Sequence, residues 1–210
     1  MTDVRIHSLV VNALTFSRVP LIFAYAVCAV TAHFRGSVGF AVAACVLMFF
    51  AGISDLYDGL LARRWNVVST FGKLADPLMD KAFFIVTFPT LLWLIAVQGE
   101  SAAHGVLMLV FTVLYILRDQ WVTFLRAVAS TYHADVSAMW LGKVRTALSF
   151  PAAGIIYIYL AFHSAMSIQM QNAFLGVVYA VECGLILLNI HSCIAYTHTY
   201  SPYLRKALSK

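Results

Sequence analysis

Four aspartates stand close together in this 210-residue chain: Asp55, Asp58, Asp76 and Asp80, within SDLYDGLLARRWNVVSTFGKLADPLMDKA. Asp55 and Asp58 are i, i+3 and share one face of a helix, and Asp76 and Asp80, at i, i+4, share a face of the next. A turn between the two helices folds them antiparallel and lets the four carboxylates converge. Four anions cannot occupy one low-dielectric site unless they are protonated or neutralised. Divalent cations neutralise them most simply, and an all-oxygen donor set selects Mg²⁺, Mn²⁺ or Ca²⁺. Two such ions about 3.5–4 Å apart form a device for phosphoryl displacement. Gly59, Ala62 and Gly72 leave room for a bulky ligand near the backbone, while Arg63 and Ser69 supply donors suited to phosphate oxygens. Pro77 follows Asp76 directly and is expected to kink its helix, freeing a carbonyl near Lys73. Spacing alone leaves a cation transporter, with the aspartates as its ion path, as a rival to an enzyme.

The elements that carry these residues follow from composition. The chain is 62% hydrophobic and only 11% charged, with a mean hydropathy of +0.85. Soluble domains are about one quarter charged, and disorder requires low hydrophobicity with high charge. Both classes are excluded, and a polytopic all-α membrane protein remains. Spans are expected near 10–33, 38–64, 72–97, 104–130, 143–163 and 172–197, each close to the roughly 20 apolar residues that cross a bilayer. The whole of 1–210 reads as a single membrane domain, and residues 1–9 as a short interfacial helix. The stretch ending Val30, Thr31, Ala32 resembles a signal-peptidase site, but it is longer than a signal core and carries Asn12, Thr15 and Arg18, so a retained span is expected. Cys28, Cys45, Cys183 and Cys193 are scattered through apolar runs, without metal-ligand spacing.

The charges also orient the chain. The net charge of +5 comes without any basic run suited to nucleic acid. Arg5, Arg18, Arg63, Arg64, Lys73, Lys81, Arg126, Lys143, Arg145, Arg205, Lys206 and Lys210 fall on one side of the six-span arrangement, with Arg118 nearer that side and Arg35 on the other. The positive-inside rule then puts both termini and the aspartates in the cytoplasm.

The aspartate stretch matches D-x2-D-G-x2-A-R-x8-G-x3-D-x3-D at every fixed position: Asp55, Asp58, Gly59, Ala62, Arg63, Gly72, Asp76 and Asp80. That pattern is the signature of the CDP-alcohol phosphotransferase family, which the chain resembles over essentially its whole length. Three further segments resemble the bacterial phosphatidylglycerophosphate synthase branch. They are Asn12-Ala-Leu-Thr15-Phe-Ser-Arg18, the stretch from Arg118 to Arg126, and Trp140-Leu-Gly-Lys143-Val-Arg145-Thr146. Asp119 stands where that branch usually has glutamate. An Arg-Asp pair is also found in the cardiolipin synthases of the family, which use phosphatidylglycerol as acceptor, and that alternative stays open beside inositol phosphate.

The resemblance implies an integral bacterial inner-membrane enzyme, commonly homodimeric. It implies transfer of a phosphatidyl group from CDP-diacylglycerol to sn-glycerol 3-phosphate, with release of CMP. It also implies two Mg²⁺ or Mn²⁺ ions per site, one on Asp55, Asp58 and Asp76 and the other on Asp55, Asp76 and Asp80, with Asp80 as general base. Asn12, Thr15, Arg18, Gly59, Ala62, Arg63, Ser69 and Gly72 are then expected to hold the donor. The remaining cations point to the acceptor. Arg118 and Arg126 are eight apart and share a helical face, and Lys143 and Arg145 open span five on the same side. Such a cluster facing the aspartates suits a second phosphate. Asp119 is expected to pair with another basic residue, Glu182 and Asn189 to hydrogen-bond between helices, and His33, His104 and His163 to be interfacial.

Overall fold

Apolar runs of this length satisfy their backbone within a bilayer only as helices, and helices are what form. The computed structural model describes residues 2–65, 70–134 and 139–209. Within these, the side chains of 2–6, 8, 55, 56, 58, 59, 62, 63, 70–77 and 80 are outside the description. The helices are α1 (Thr2–Arg35), α2 (Val38–Arg64), α3 (Thr70–Gln98), α4 (Ala102–Ser130), α5 (Trp140–Phe162) and α6 (Ile168–Leu208). Among the described residues, five helices are long and apolar enough to cross a membrane, and α2 adds the shorter apolar run Val38–Ser54. The chain is an all-α polytopic membrane protein.

The expected separate interfacial helix over residues 1–9 is corrected by the structure. Residues 2–9 are helical, but they are the opening turns of α1, which runs unbroken into the span. No glycine or proline precedes Pro20, so nothing in the sequence stops the helix between the two segments. Between helices, the chain turns where backbone of positive φ is needed. Gly36 (φ 59°) separates α1 from α2, and Gly99 (φ 72°) separates α3 from α4, a conformation that costs glycine nothing. Ser101 and Ser167 cap α4 and α6, their hydroxyls accepting the N–H groups of His104 and Met170.

Two compact units result. The first comprises residues 1–97 with 156–166, and the second 98–155 with 167–210. In the first, α1 packs on α2. The buried stripe of α1 is Val11, Thr15, Arg18, Ile22, Tyr25 and Ala29, and that of α2 is Ala41, Ala44, Met48, Ala51 and Ser54. The alanines let the two backbones approach closely, as small residues do between membrane helices. Tyr157, near the end of α5, sets its ring edge-on to Tyr25 and its hydroxyl 3.5 Å from the Ala41 carbonyl. In the second unit, α4 packs on α6, with Val122, Leu125, Ala129, Tyr196 and Tyr200 as a core cluster.

Candidate active site

The signature aspartates occupy the facing ends of consecutive helices in the chain order, Asp55 and Asp58 in α2 and Asp76 and Asp80 in α3. Their register is informative. Asp55 and Asp58 fall seven positions, about two turns, beyond Met48 and Ala51, which are 6% and 0% exposed. Asp76 and Asp80 fall seven positions before Phe83 and Thr87, which are 1% and 0% exposed. In sequence register, the four positions stand one seven-residue step from buried positions of the same helices. Their side chains, with the side-chain positions of Gly59, Ala62, Arg63, Gly72, Lys73 and Pro77, lie outside the description, and Ser69 does so entirely.

The donor-side residues of α1 are described. Thr15 and Arg18, expected from sequence to hold the nucleotide, lie on the buried stripe of α1, at 3% and 0% exposure, and Asn12 is half-buried beside them. The Thr15 hydroxyl donates to the Val11 carbonyl at 3.2 Å. A lysine or arginine buried in a membrane helix is costly and marks a functional position more often than a structural one. An apolar groove of about 340 Å³ runs between α1 and α2, walled by Leu14, Leu21, Phe50, Ile53 and Tyr57.

The expected acceptor cations divide in the second unit. Arg118 and Arg145 are both buried, Arg126 is half-buried, and Lys143 is exposed. Arg145 Nη1 donates to Asn189 Oδ1 at 3.1 Å, and its Nη2 lies 3.4 Å from Asp119 Oδ1. Its guanidinium lies over the Tyr115 ring, 4.1 Å from the centroid. Arg118 donates through Nη2 to the Ser192 hydroxyl and lies over the Tyr196 ring at 4.8 Å. Each arginine keeps a buried Nε–H with no hydrogen-bond partner among the described residues, a costly state for a charged donor. A guanidinium with a spare N–H has the chemistry to meet a phosphate oxygen.

Asp119 thus pairs with a basic residue as expected, and Asn189 joins two helices. His104, near the start of α4, is fully buried within the protein, with Nε2 3.3 Å from Glu182 Oε1 and Nδ1 3.7 Å from Glu100 Oε2. A carboxylate on the buried stripe of α6 needs such a partner, and the N-terminus of α4 supplies it. Ser192, Tyr196 and Tyr115 had no place in the sequence reading. The signal for the first two was available: Val178, Glu182, Leu185, Asn189, Ser192, Tyr196 and Tyr200 are the buried residues of α6, a three-four spacing on which polar side chains must find partners.

The sequence profile of the CDP-alcohol phosphatidyltransferase family matches residues 8–185. The chain belongs to that family. Curated relatives narrow the comparison. The chain is 38% identical over 111 residues to a CDP-diacylglycerol–glycerol-3-phosphate 3-phosphatidyltransferase of Mycoplasma genitalium, covering 53% of this chain and 42% of that one. The enzyme of the same name from Bacillus subtilis is 34% identical over 104 residues, covering 50% and 49%. A CMP-forming cardiolipin synthase of Streptomyces coelicolor is 42% identical over 50 residues, covering 24% and 23%. The chain spans about half the length, or less, of these relatives. The family match includes the aspartate signature, Arg118 and Arg145, but stops short of Asn189, Ser192 and Tyr196, the α6 partners of the two arginines.

Proposed function

We propose that this protein transfers the phosphatidyl group of CDP-diacylglycerol to sn-glycerol 3-phosphate, giving phosphatidylglycerophosphate and CMP. The observation that carries the reading is the complete eight-position signature in α2 and α3, in a chain where buried Arg118 and Arg145 each keep an Nε–H without a hydrogen-bond partner among the described residues.

The donor set fits divalent metal. Four carboxylates at this spacing offer only oxygen ligands, the preference of Mg²⁺ and Mn²⁺. Asp55, Asp58 and Asp76 would hold one ion and Asp55, Asp76 and Asp80 the other. When bound, these ions supply charge to grip the diphosphate and offset the negative charge of departing CMP. Asp80 takes the proton of the acceptor hydroxyl as its oxygen bonds to the β-phosphorus, and the bond from that phosphorus to the CMP oxygen breaks. Asn12, Thr15, Arg18, Gly59, Ala62, Arg63, Ser69 and Gly72 bind the donor headgroup, and the groove between α1 and α2 takes apolar chain beside it. Arg118 and Arg145 bind the acceptor phosphate, with Arg126 and Lys143 adding positive potential. The site faces the cytoplasm, the chain functions as a single membrane domain, and the assembly is a homodimer.

Asp119 and the Streptomyces relative favour one second reading, with phosphatidylglycerol as acceptor and cardiolipin as product. The test is to offer purified protein labelled CDP-diacylglycerol with each acceptor in turn and to measure CMP, with and without Mg²⁺ or Mn²⁺. Metal-dependent CMP release with glycerol 3-phosphate is expected. Release with phosphatidylglycerol alone selects the second reading, and no release with any acceptor ends both.

A further inference from the structure

Buried Arg118 and Arg145 sit on different helices, α4 and α5, and their spacing must be set by something. We propose that Tyr196 is a positioning residue for acceptor recognition, holding Arg118 and the first turn of α5 in one arrangement. The inference rests on the acceptor reading above.

The first turn of α5 begins at Met139, whose carbonyl accepts the N–H groups of Gly142 and Lys143 at 3.0 and 3.3 Å. At a helix start the leading N–H groups have no partner within the helix. The Met139 N–H donates instead to the Tyr196 hydroxyl of α6, at 2.8 Å. The same tyrosine lays its ring under the Arg118 guanidinium of α4, an attraction that strengthens where water is excluded. One buried side chain, 2% exposed, therefore touches α4 and α5 from α6.

Gly142 completes the arrangement. A Cβ at this position would lie 2.8 Å from the Tyr196 hydroxyl oxygen and 3.5 Å from Arg118 Nη2. The turn is thus seated against the tyrosine as closely as its backbone allows. Arg145 is three residues beyond Gly142, on the same face of α5, and Lys143 is in the same turn. A shift of that turn moves the α5 cations relative to Arg118. Phosphate recognition by two forked guanidinium groups depends on that separation, because each N–H must reach a particular oxygen. The donor nucleotide makes no such demand on this turn.

The substitution Tyr196→Phe removes the hydroxyl and keeps the ring. It is expected to raise KM for glycerol 3-phosphate about tenfold while KM for CDP-diacylglycerol and the thermal midpoint in detergent stay near the wild-type values. Gly142→Ala is expected to act in the same direction. Its effect should be smaller in the Tyr196→Phe background, where the added methyl no longer meets an oxygen. Should Tyr196→Phe unfold, Gly142→Ala decides by the same ratio of the two KM values. An unchanged KM for glycerol 3-phosphate, equal rises for both substrates, or strict additivity of the two substitutions would overturn the positioning role. Where the wild type turns over glycerol 3-phosphate and the variants are silent, only this inference fails. Where the wild type does not use glycerol 3-phosphate, the acceptor reading fails and takes this inference with it.

Discussion

Arg118 and Arg145 carry the same charge, yet their surroundings ask different things of them. Arg118 meets the Ser192 hydroxyl through Nη2 and spreads its plane over Tyr196. A lysine lacks that planar fork and stacks poorly. Arg118→Lys is therefore expected to raise KM for glycerol 3-phosphate roughly tenfold or more. Arg145 points its Nη atoms at Asn189 and Asp119, and a single ammonium can satisfy a carboxylate and an amide oxygen in turn. Arg145→Lys should be the milder change. Steady-state kinetics on both variants checks the order, and equal effects would contradict it. Asp80 is separable from either arginine. Asp80→Asn keeps the size of the side chain and an oxygen but removes the base, so kcat should fall by about 10²–10⁴. Donor binding, measured by retention of labelled CDP-diacylglycerol, should persist.

At the scale of elements, the chain was legible wherever periodicity met length. The expected span 38–64 and the observed α2 (Val38–Arg64) coincide, and 104–130 falls within α4 (Ala102–Ser130). Hydropathy could not see that α6 runs from Ile168 to Leu208, far past the expected 172–197, because its ends are polar and helical at once. Nor could it see that His104, near a span end, is buried within the protein. Only the pairing of α4 with α6 reveals that Glu182 needs it. Polar partners across helices are a property of the packing, and periodicity shows which residues face inward without showing what they meet. The small-residue stripe of α2 was not singled out at all, although it sets how close α1 can come. Ala44 is fully buried on that stripe. Ala44→Leu adds three carbons where two backbones meet, and overpacking of this kind costs about 1–3 kcal/mol. The thermal midpoint in detergent should fall, and turnover should fall with it, because Thr15 and Arg18 ride on the displaced helix.

The molecule as a whole is oriented by its charges. In the six-span arrangement expected from hydropathy, twelve of the fourteen basic residues fall on one side, and positive charge is retained in the cytoplasm during insertion. The proposed acceptor, glycerol 3-phosphate, is a soluble cytoplasmic compound, so a site on the other side would lack it. The two ends of α6 provide the cleanest probe. The helix is 41 residues long, about 60 Å at 1.5 Å per residue, twice the roughly 30 Å hydrocarbon core. Its flanks must therefore emerge on opposite faces. Ser164 precedes the helix and Ser209 follows it, and both are exposed. Cysteines introduced as Ser164→Cys and Ser209→Cys, in a chain with Cys28, Cys45, Cys183 and Cys193 replaced by alanine, can be challenged with a membrane-impermeant maleimide. Ser164→Cys should label in intact cells, and Ser209→Cys only after the membrane is broken. The reverse pattern would put the basic side outside, and with it Arg205 and Lys206 in the last turn of α6. It would leave the aspartate signature facing a compartment without its nucleotide, and the enzyme reading could not survive that result.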